Sequence, residues 1–507
     1  MKKLKIYFTS DIHGFVYPTD YINNEKKPIG MLNLINSFTK DENTLIIDGG
    51  DTLQGSPFTT FLTNEEFNVH PISKVINAGE YDFVTLGNHD FNYGYENLRS
   101  YLDNINAECV CCNVKDKTGK LPIKEYSIKI MENGLKVAII GFTTDFINVW
   151  EQPKNLENFS IDDTFSNVKR VYEEVKDLAD IIIGVYHGGF EKDLDSHKAL
   201  SETKENLAYK ICEELGFDIL LTGHQHMAIE GQKLFDTYIV QTPQNGQRYI
   251  ELNLQYDEKI TNIESKLVVP EINPEKDVYN ELMVIEEKVQ KWLDSPVGHL
   301  DVDLTPKSHI DMAMEGFLLA NFINMVQLEE SHSDIACTSF ANSIKGFNKD
   351  VTVRDIVSTY IYPNTLVVLK VTGEILKKAL NRCGEYFAYD GREVTVSDAF
   401  LKPKVEHYNY DYFSNIEYGY KLNENDTNTL EYVKFKNQEV KDDDEFTLVM
   451  NNYRASGAGG YEFYTECEVV KEIQVEMTEI IINYFNKYKN VVVDKNKYIS
   501  VIIDVCF

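Results

Sequence analysis

Six short apolar runs in the first half of the chain constrain its fold and its chemistry together. The runs are KIYFTS, TLIIDG, YDFVTLG, KVAIIGFT, DIIIGVYHG and DILLTGHQH. Amphipathic, helix-like stretches separate several of them, and this alternation of strands and helices predicts an α/β layered domain. Imidazole, carboxylate or carboxamide groups, usually beside glycine, follow five of the six runs. A buried strand has no packing reason to end in such groups, so we expect them to share a chemical task.

The residues at these strand ends form one candidate site. Sites in open α/β sheets lie outside the carboxyl ends of the strands. Strand ends that meet at one edge would therefore bring together seven side chains, namely Asp11, His13, Asp51, Asn88, His187, His224 and His226. A single histidine of this kind is more often structural, and a single aspartate beside glycines is usually a turn former. Turns do not require four histidine-bearing loops, however, and five of the eleven histidines lie in these segments.

The chemistry of this set predicts a metal centre. Seven nitrogen and oxygen ligands without a thiolate exceed the four of a tetrahedral zinc site and suit two divalent metal ions that share a carboxylate. Asp51 is the natural bridge, since the glycines beside it allow a close approach. Two ions about 3.5–4 Å apart can clamp a phosphoryl oxygen and acidify the attacking water. Imidazole ligands favour Mn²⁺ over Mg²⁺, with zinc, cobalt, iron and nickel as alternatives.

Length and charge restrict the organisation and the partners of the protein. At 507 residues the chain exceeds the usual size of one core, so we expect domains at 1–262 and 301–507, joined by a helical linker at 263–300. The formal charge of −31 argues against binding duplex nucleic acid. No signal-peptide pattern and no eighteen-residue apolar run occur, which predicts a cytoplasmic protein without a membrane partner. We expect no obligate protein partner, and the eight scattered cysteines predict reduced, mostly buried thiols.

Five segments carry a family resemblance. DIHG, GDTLQGS, GNHDFNYG, YHGG and GHQH resemble the ordered motifs of the calcineurin-like metallophosphoesterases, and the GDTLQGS segment narrows this to the 5'-nucleotidase branch. The resemblance implies a four-layer β-sandwich domain flanked by helices, and phosphoester hydrolysis assisted by two divalent metal ions. It implies one ion held by Asp11, His13, Asp51 and His226, and a second held by Asp51, Asn88, His187 and His224. It also makes His89 the catalytic residue, which faces the substrate and assists at the leaving oxygen.

Asp90, beside His89, is open to two interpretations. It either orients a histidine from behind the metal ligands or serves the structure alone.

The second half of the chain resembles the C-terminal nucleotide-binding domain of the same branch. The match lies in residues 362–380, 408–413 and 451–464. An aromatic ring on each face of a nucleobase can clamp it by stacking. The resemblance implies that Tyr461 does so together with either Tyr408 or Tyr410. It therefore predicts a C-terminal α/β domain that binds the substrate.

Two departures from the 5'-nucleotidase pattern bear on the substrate. Asn92 stands where many 5'-nucleotidases have an aspartate paired with the motif histidine, and Lys345 stands where their Gly-Gly-Ile-Arg loop has its arginine. Lysine keeps the charge but loses the bidentate fork that suits a terminal phosphate. We count both as substrate-binding residues, and GNHDFNYG resembles the 2',3'-cyclic-nucleotide 2'-phosphodiesterase/3'-nucleotidase group. The sequence therefore predicts a 2',3'-cyclic-nucleotide 2'-phosphodiesterase with 3'-nucleotidase activity. The alternatives are a 5'-nucleotidase or UDP-sugar hydrolase, and a non-catalytic nucleotide-binding protein.

Overall fold

The computed structural model describes residues 1–22, 24–63, 65–199, 204–362, 364–402, 404–423, 428–473 and 475–503. The chain divides into two compact units, Met1–Val289 and Gln290–Phe507. The division falls within an eighteen-residue helix, Lys276–Leu293, in the charged stretch from which the sequence predicts a linking helix.

The first unit contains strands β1 to β17, helices α1 to α8 and most of helix α9. The strands are β1 Lys2–Thr9, β2 Thr19–Asp20, β3 Glu25–Lys26, β4 Thr44–Asp48, β5 Phe83–Val84, β6 Glu108–Val110, β7 Val114–Asp116, β8 Ile123–Lys124, β9 Tyr126–Ile130, β10 Lys136–Thr143, β11 Phe159–Ile161, β12 Ile181–His187, β13 Ile219–Thr222, β14 Ile229–Leu234, β15 Thr237–Gln241, β16 Tyr249–Asp257 and β17 Lys259–Val268. The helices are α1 Met31–Ser37, α2 Pro57–Leu62, α3 Pro71–Ala78, α4 Gly94–Leu102, α5 Ile147–Trp150, α6 Pro153–Leu156, α7 Thr164–Val175, α8 Ala208–Glu214 and α9 Lys276–Leu293.

Two sheets pack face to face in this unit. The strand orders are β17-β16-β1-β4-β5-β6-β8 and β14-β15-β13-β12-β10-β9. One apolar core joins Leu4, Ile6 and Phe8 of β1 to residues of the other sheet, such as Ile183 of β12. A second core lies between the outer face of that sheet and helices α7 and α8. On the first sheet, Tyr7 stacks against Phe38, directly after α1, with ring centroids 4.8 Å apart. The layers are thus helix, sheet, sheet and helix, and the predicted four-layer α/β architecture is confirmed.

The strand directions explain why polar residues gather at one edge. Strands β1, β4 and β5 run parallel in one sheet, and β10, β12 and β13 run parallel in the other. Every residue of β4 and of β12 is buried, so the chain becomes polar only where these strands end. The segments with the candidate ligands leave β1, β4, β5, β12 and β13 at those carboxyl ends.

The second unit contains strands β18 to β31 and helices α10 to α15. The strands are β18 Pro296–Leu300, β19 Ile335–Thr338, β20 Asp350–Thr352, β21 Leu366–Thr372, β22 Phe387–Tyr389, β23 Val394–Val396, β24 Tyr412–Ser414, β25 Glu417–Leu422, β26 Thr429–Phe435, β27 Gln438–Glu439, β28 Glu445–Asn451, β29 Glu468–Ile473, β30 Asn490–Val491 and β31 Ile499–Ile503. The helices are α10 His309–Glu315, α11 Leu318–Ser331, α12 Val353–Thr359, α13 Gly373–Gly384, α14 Asn452–Ala455 and α15 Met477–Lys487.

A five-stranded sheet of order β24-β19-β28-β21-β29 and a four-stranded sheet of order β27-β26-β25-β31 organise this unit. The polar region around residues 421–445, for which the sequence predicts a hairpin, forms the antiparallel pair β25 and β26. The predicted turn at 423–428 falls mainly on residues 424–427, which lie outside the described residues.

Two sequence expectations outside the candidate site can also be compared with the structure. Of the residues described, no helix combines the length and apolarity needed to cross a bilayer. The seven cysteines within the described ranges are free, and all except Cys467 are buried. Cys506, the eighth, lies outside those ranges. Cys109, Cys111 and Cys112, which lie close together in sequence, are therefore free thiols in the core, as the sequence predicts.

Candidate functional site

Five of the seven predicted metal ligands have a left-handed backbone. The residues and their φ angles are Asp11 at 58°, His13 at 50°, Asp51 at 55°, His224 at 69° and His226 at 56°. This conformation costs a non-glycine residue roughly 1–2 kcal/mol, and it persists only where the surrounding structure enforces it. The accumulation of such residues at one sheet edge marks a functional site.

The tight turns bring six of the seven predicted ligands into two groups. The first contains Asp11, His13 and His226, and the second contains Asp51, His187 and His224; within each group the potential ligand atoms lie within 4.8 Å of one another. Each group holds three of the four residues that the resemblance assigns to one metal ion. The seventh residue, Asn88, places its Oδ1 2.9 Å from Nδ1 of His224. The structure therefore gathers all seven residues at one place.

His187 tests whether this site fits a cation. Its Nδ1 lies 2.8 Å from the carbonyl oxygen of Gly49 and donates to it, so in the neutral ring the lone pair lies on Nε2. That buried Nε2 has no hydrogen-bond partner among the described residues, yet it lies 3.1 Å from Oδ2 of Asp51 and 4.0 Å from Oδ1 of Asp11. Carboxylates around this nitrogen require a positive charge beside them, which either a proton on Nε2 or a divalent cation supplies, so the donor set fits such a cation.

The pKa values reflect the same demand for positive charge. Burial lowers the pKa of His187, but Asp51 and Asp11 outweigh it and raise that pKa to about 10. Burial alone would raise the pKa of Asp11, yet its hydrogen bond to His226 and the nearby His187 lower it well below the ordinary value. For His13 burial prevails and lowers the pKa to about 4. A metal ion requires anionic carboxylates and neutral imidazoles. The lowered pKa of His13 agrees with this, and a cation bound at His187 would replace the proton on Nε2.

Gly87 allows the loops of the site to approach each other. A Cβ at this position would lie 2.2 Å from Oδ1 of Asp51 and 2.4 Å from its backbone nitrogen. Any side chain larger than hydrogen would therefore displace the residue that the sequence predicts as the bridging ligand.

Asp90 holds the Asp51 loop in place. Its two carboxylate oxygens accept hydrogen bonds from four backbone N–H groups, those of Asp51, Thr52, Leu53 and Gly87, over distances of 2.8 to 3.0 Å. Burial, followed by the charge of Asp51, raises the pKa of Asp90 to about 6. The interpretation of Asp90 as a carboxylate that orients a histidine is wrong; it orders the backbone that carries Asp51.

His89 lies beside the two groups without belonging to either. Its backbone nitrogen donates to Oδ1 of Asp51 over 2.7 Å, and its ring centroid is 5.3 Å from that of His13. Its Nδ1 lies 2.7 Å from Oδ1 of Asn92. The other end of the Asn92 amide donates to the carboxylate of Glu151. The sequence counts Asn92 among the substrate-binding residues, but both ends of its amide are hydrogen-bonded within the protein.

Two acidic residues at the site carry no sequence signal. Glu151 follows α5 and reaches Asn92 from 59 positions further along the chain. Oε1 of Glu205 lies 2.9 Å from Nε2 of His224, which leaves Nδ1 of that ring facing Asn88. A carboxylate that binds the outer nitrogen of a ligating histidine fixes the ring orientation and raises its basicity. Neither glutamate belongs to a motif, because each reaches the site through tertiary packing.

Two of the three tyrosines predicted to stack on a base are buried in the second unit. Tyr410 is 2% exposed and Tyr461 is fully buried. The hydroxyl of Tyr461 donates to the carbonyl of Asn409 over 3.1 Å, and the guanidinium of Arg454 lies 4.1 Å from its ring centroid. Neither tyrosine presents an open face, so their placement does not support a clamp on a base.

Tyr408 is exposed enough to stack on a base, and two other tyrosines, Tyr453 and Tyr362, lie near it. It is half-buried, as is Tyr453 of α14, whereas Tyr362 is 39% exposed. Burial raises the pKa of Tyr408 well above its ordinary value, and the nearby Tyr453 and Tyr362 raise it further. We call these three residues the tyrosine cluster. The sequence includes Tyr453 in a matching segment but does not single it out, because the alternation of aromatic residues does not reveal which of them reach solvent.

A buried ion pair holds the backbone of Tyr408, one member of the tyrosine cluster. Arg454 and Asp411 are each 1% exposed, and Nε of the arginine donates to Oδ2 of the aspartate over 2.8 Å. The same guanidinium donates to the carbonyl of Tyr408 over 2.9 Å and to that of Ala458. The arginine thus ties the segment that carries Tyr408 to the glycine-rich loop at 457–460.

Lys345 lies in an ion pair. Its Nζ is 3.1 Å from Oδ1 of Asp355, and the lysine side chain is only 20% exposed. Asp355 in turn caps the start of α12 through the backbone nitrogen of Thr352. The positive charge that the sequence assigns to substrate binding is therefore already matched by a carboxylate.

Two family models match this chain. The model described as calcineurin-like phosphoesterase matches residues 4–228, and the model described as the 5'-nucleotidase C-terminal domain matches residues 296–466. Together they cover most of both units, and they confirm the two resemblances that the motifs indicate.

Individual relatives agree with these models. The chain is similar to the solved structure of a putative 5'-nucleotidase from Staphylococcus aureus, with 31% identity, coverage of 99% of this chain and 100% of that one, and a TM-score of 0.89. It is 26% identical to a trifunctional nucleotide phosphoesterase protein of Bacillus subtilis over 96% of this chain, but it spans only 38% of that protein's length. It is 23% identical to a 2',3'-cyclic-nucleotide 2'-phosphodiesterase/3'-nucleotidase of Salmonella typhimurium, over 90% of this chain and 81% of that protein.

Proposed function

Since the chain belongs to the calcineurin-like phosphoesterases that carry a 5'-nucleotidase C-terminal domain, we propose that it hydrolyses small nucleotides as a 2',3'-cyclic-nucleotide 2'-phosphodiesterase with 3'-nucleotidase activity. That it hydrolyses phosphoesters follows from the family. The observation that supports the proposal most is the pair of ligand groups at the sheet edge, with His89 beside them and outside both.

The metal ligands follow the assignment made from the motifs. Asp11, His13, Asp51 and His226 would hold one ion, and Asp51, Asn88, His187 and His224 would hold the other, with Mn²⁺ as the preferred metal. Ions bound there would supply Lewis acidity, which neutralises the phosphoryl oxygens and lowers the pKa of the attacking water. The protein contributes rigidity: Asp90 orders the Asp51 loop through its four backbone hydrogen bonds, and Glu205 orients His224.

His89 acts on the leaving oxygen. Its backbone is fixed by the hydrogen bond to Asp51, and its ring is fixed by Asn92. From this position the imidazole donates a proton to the sugar oxygen as the bond to phosphorus breaks. Opening of the cyclic ester gives a 3'-monophosphate, and a second hydrolysis releases the nucleoside and inorganic phosphate.

The second unit binds the nucleoside in this proposal. The tyrosine cluster offers aromatic faces that reach solvent, and stacking on a base contributes about 1–3 kcal/mol per base with little dependence on its identity. Tyr408 keeps the role that the sequence assigns to it, and Tyr453 takes the role assigned to Tyr461.

A 5'-nucleotidase is the second candidate, favoured by the similarity to the Staphylococcus aureus protein. Asn92 and Lys345 favour the cyclic phosphodiesterase, because a 5'-nucleotidase would be expected to have aspartate and arginine there. The pairing of Lys345 with Asp355 weakens the case for this lysine as a phosphate ligand but does not supply the missing arginine.

The deciding measurement is product release from 2',3'-cyclic AMP, 3'-AMP and 5'-AMP, each assayed with Mn²⁺ and with a chelator. We expect turnover of the cyclic substrate and of 3'-AMP to exceed that of 5'-AMP, and the chelator to abolish all three. Preference for 5'-AMP would replace the proposed substrate while leaving the metal centre in place. Activity that persists in the chelator, with no metal in the protein, would contradict the mechanism.

A further inference from the structure

Asn92 stands where many 5'-nucleotidases have an aspartate beside the motif histidine, but a carboxylate lies one hydrogen bond further from the ring, on Glu151. The side chain of Glu151 is half-buried, and burial raises its pKa. Its Oε2 accepts a hydrogen bond from Nδ2 of Asn92. Oδ1 of Asn92 then lies 2.7 Å from Nδ1 of His89. The three side chains form a continuous line of hydrogen bonds from an acid to the catalytic imidazole.

Glu151 is itself held in one orientation. Its Oε1 accepts from the backbone nitrogen of Gln152 over 2.7 Å and from Nδ2 of Asn155 over 2.8 Å. Asn155 also donates to the carbonyl of Asn92 over 2.9 Å. With Oε1 occupied by two donors, Oε2 remains for Asn92. This frame fixes both the backbone and the side chain of Asn92.

The carboxylate determines how the Asn92 amide points. An ionised carboxylate only accepts hydrogen bonds, so the NH₂ end of the amide must face Glu151. The amide oxygen must then face His89. Because that oxygen also only accepts, the Nδ1 of His89 must be the donor, which leaves Nε2 as the nitrogen that can exchange a proton with the substrate.

We propose that Glu151 is a positioning residue that acts through Asn92, fixing His89 with Nδ1 as donor and Nε2 free for the leaving oxygen. This inference rests on the proposed role of His89 at the leaving oxygen. In the step it serves, water adds to phosphorus and releases one proton to solvent, and the bond from phosphorus to the leaving oxygen breaks. That oxygen takes the proton from Nε2, which solvent then replaces. The His89-Asn92-Glu151 line thus replaces a direct pair of histidine and aspartate.

Substitution of Glu151 by glutamine tests the orientation. The two donors at the Oε1 side require an acceptor, so the new amide places its oxygen there and turns its NH₂ towards Asn92. Asn92 must then reverse its own amide and present NH₂ to Nδ1 of His89. We expect Glu151→Gln to lower kcat for 3'-AMP about 10–100-fold, by analogy with the loss that follows when a group that orients a metal-bound histidine is changed. KM and metal content should stay within twofold of the wild type.

The leaving group separates positioning from general damage. p-Nitrophenolate leaves without a proton, so Glu151→Gln should change the hydrolysis of p-nitrophenyl phosphate less than threefold. Adding Asn92→Asp to Glu151→Gln puts a carboxylate directly on Nδ1, and we expect it to restore kcat for 3'-AMP to within fivefold of wild type. Asp218→Asn is the matched control, since Asp218 is also a half-buried carboxylate with a raised pKa. It accepts from the backbone of Ile182 at the start of β12, at the opposite edge of the sheet.

An equal loss with 3'-AMP and p-nitrophenyl phosphate, or a double variant no faster than Glu151→Gln, would overturn the inference. The tautomer of His89 gives a readout that does not depend on the substrate. In ¹⁵N spectra of the zinc-loaded protein, with His89 identified by the signals lost in His89→Gln, the neutral ring should carry its proton on Nδ1 in the wild type and on Nε2 in Glu151→Gln. If the wild type turned over no nucleotide, the proposed function would fail and these spectra would still decide the role of Glu151. A wild-type proton on Nε2 would refute it.

Discussion

Replacement of Arg454 by methionine should destabilise the second unit by about 3–5 kcal/mol, because it leaves the carboxylate of Asp411 buried without a partner. Asp411, its partner, is 1% exposed. Removing one member of a buried ion pair typically costs about 3–5 kcal/mol, since the remaining charge is neither solvated nor paired. Methionine keeps much of the apolar volume against the ring of Tyr461, so loss of packing contributes little. The carbonyls of Tyr408 and Ala458 also lose their donor.

Calorimetry on the 507-residue chain measures the effect. For a unit of this size, 1 kcal/mol corresponds to about 2–4 °C in Tm, so we expect the transition of the second unit to fall by roughly 6–20 °C. Arg354→Met is the matched control in the same unit. Arg354 has a side-chain exposure of 10% and binds Asp294 over 2.7 Å, but that aspartate is 68% exposed and stays hydrated when the arginine is lost. The control should therefore shift Tm by less than about 4 °C, equivalent to roughly 1 kcal/mol.

A second substitution tests the cause. Arg454→Met combined with Asp411→Leu leaves no buried charge and should recover at least half of the lost stability. The reasoning would be refuted if Arg454→Met cost less than about 1 kcal/mol, or if the double variant were no more stable than the single one. Because the arginine also holds the backbone of Tyr408, Arg454→Met should raise KM for nucleotides without raising that for bis(p-nitrophenyl) phosphate.

Five further substitutions probe the site and the second unit. Asp51→Ala should abolish both metal binding and turnover, since Asp51 is the predicted bridge; metal analysis showing two ions retained would contradict this. His89→Ala should lower kcat about 10²–10⁴-fold, the usual contribution of a general acid, with metal content near that of the wild type; loss of metal would instead identify His89 as a ligand. Tyr453→Ala should raise KM for nucleotides by roughly 5–150-fold, equivalent to about 1–3 kcal/mol of stacking, and leave KM for bis(p-nitrophenyl) phosphate unchanged; equal effects on both substrates would exclude the stacking role. Tyr461→Ala should mainly lower Tm, because that ring is fully buried. Gly87→Ala should release metal from a folded protein, because the new Cβ would lie 2.2 Å from Oδ1 of Asp51; unchanged metal content and activity would show that the loop can move aside.

The sequence predicts well which polar residues gather at the sheet edge, because local pattern and topology agree there. Buried runs such as β4 and β12 identify themselves by composition, and parallel strands place their carboxyl ends at a common edge. Asp51 follows β4 and His187 ends β12 in the facing sheet, and the packing of the two sheets brings Oδ2 of Asp51 to 3.1 Å from Nε2 of His187. The lengths of the elements are less predictable: the YDFVTLG run yields only the two-residue strand β5. Residues 81–82 before the strand and 85–87 after it have no regular secondary structure.

Tertiary structure alone decides which side chains face solvent and which distant residues complete the site. Tyr453 and Tyr461 belong to one segment and are equally aromatic, yet Tyr461 is buried beneath the Arg454 guanidinium while Tyr453 reaches the surface. Likewise, Asn92 gives no indication in sequence of the carboxylate behind it, because Glu151 arrives from 59 residues away. The period of a strand or helix determines which residues share a face, whereas contacts between loops depend on how all the elements pack. The sequence by itself therefore determined which polar residues follow the strand ends, and only the packed structure decided which residues support His89 and which tyrosines reach solvent.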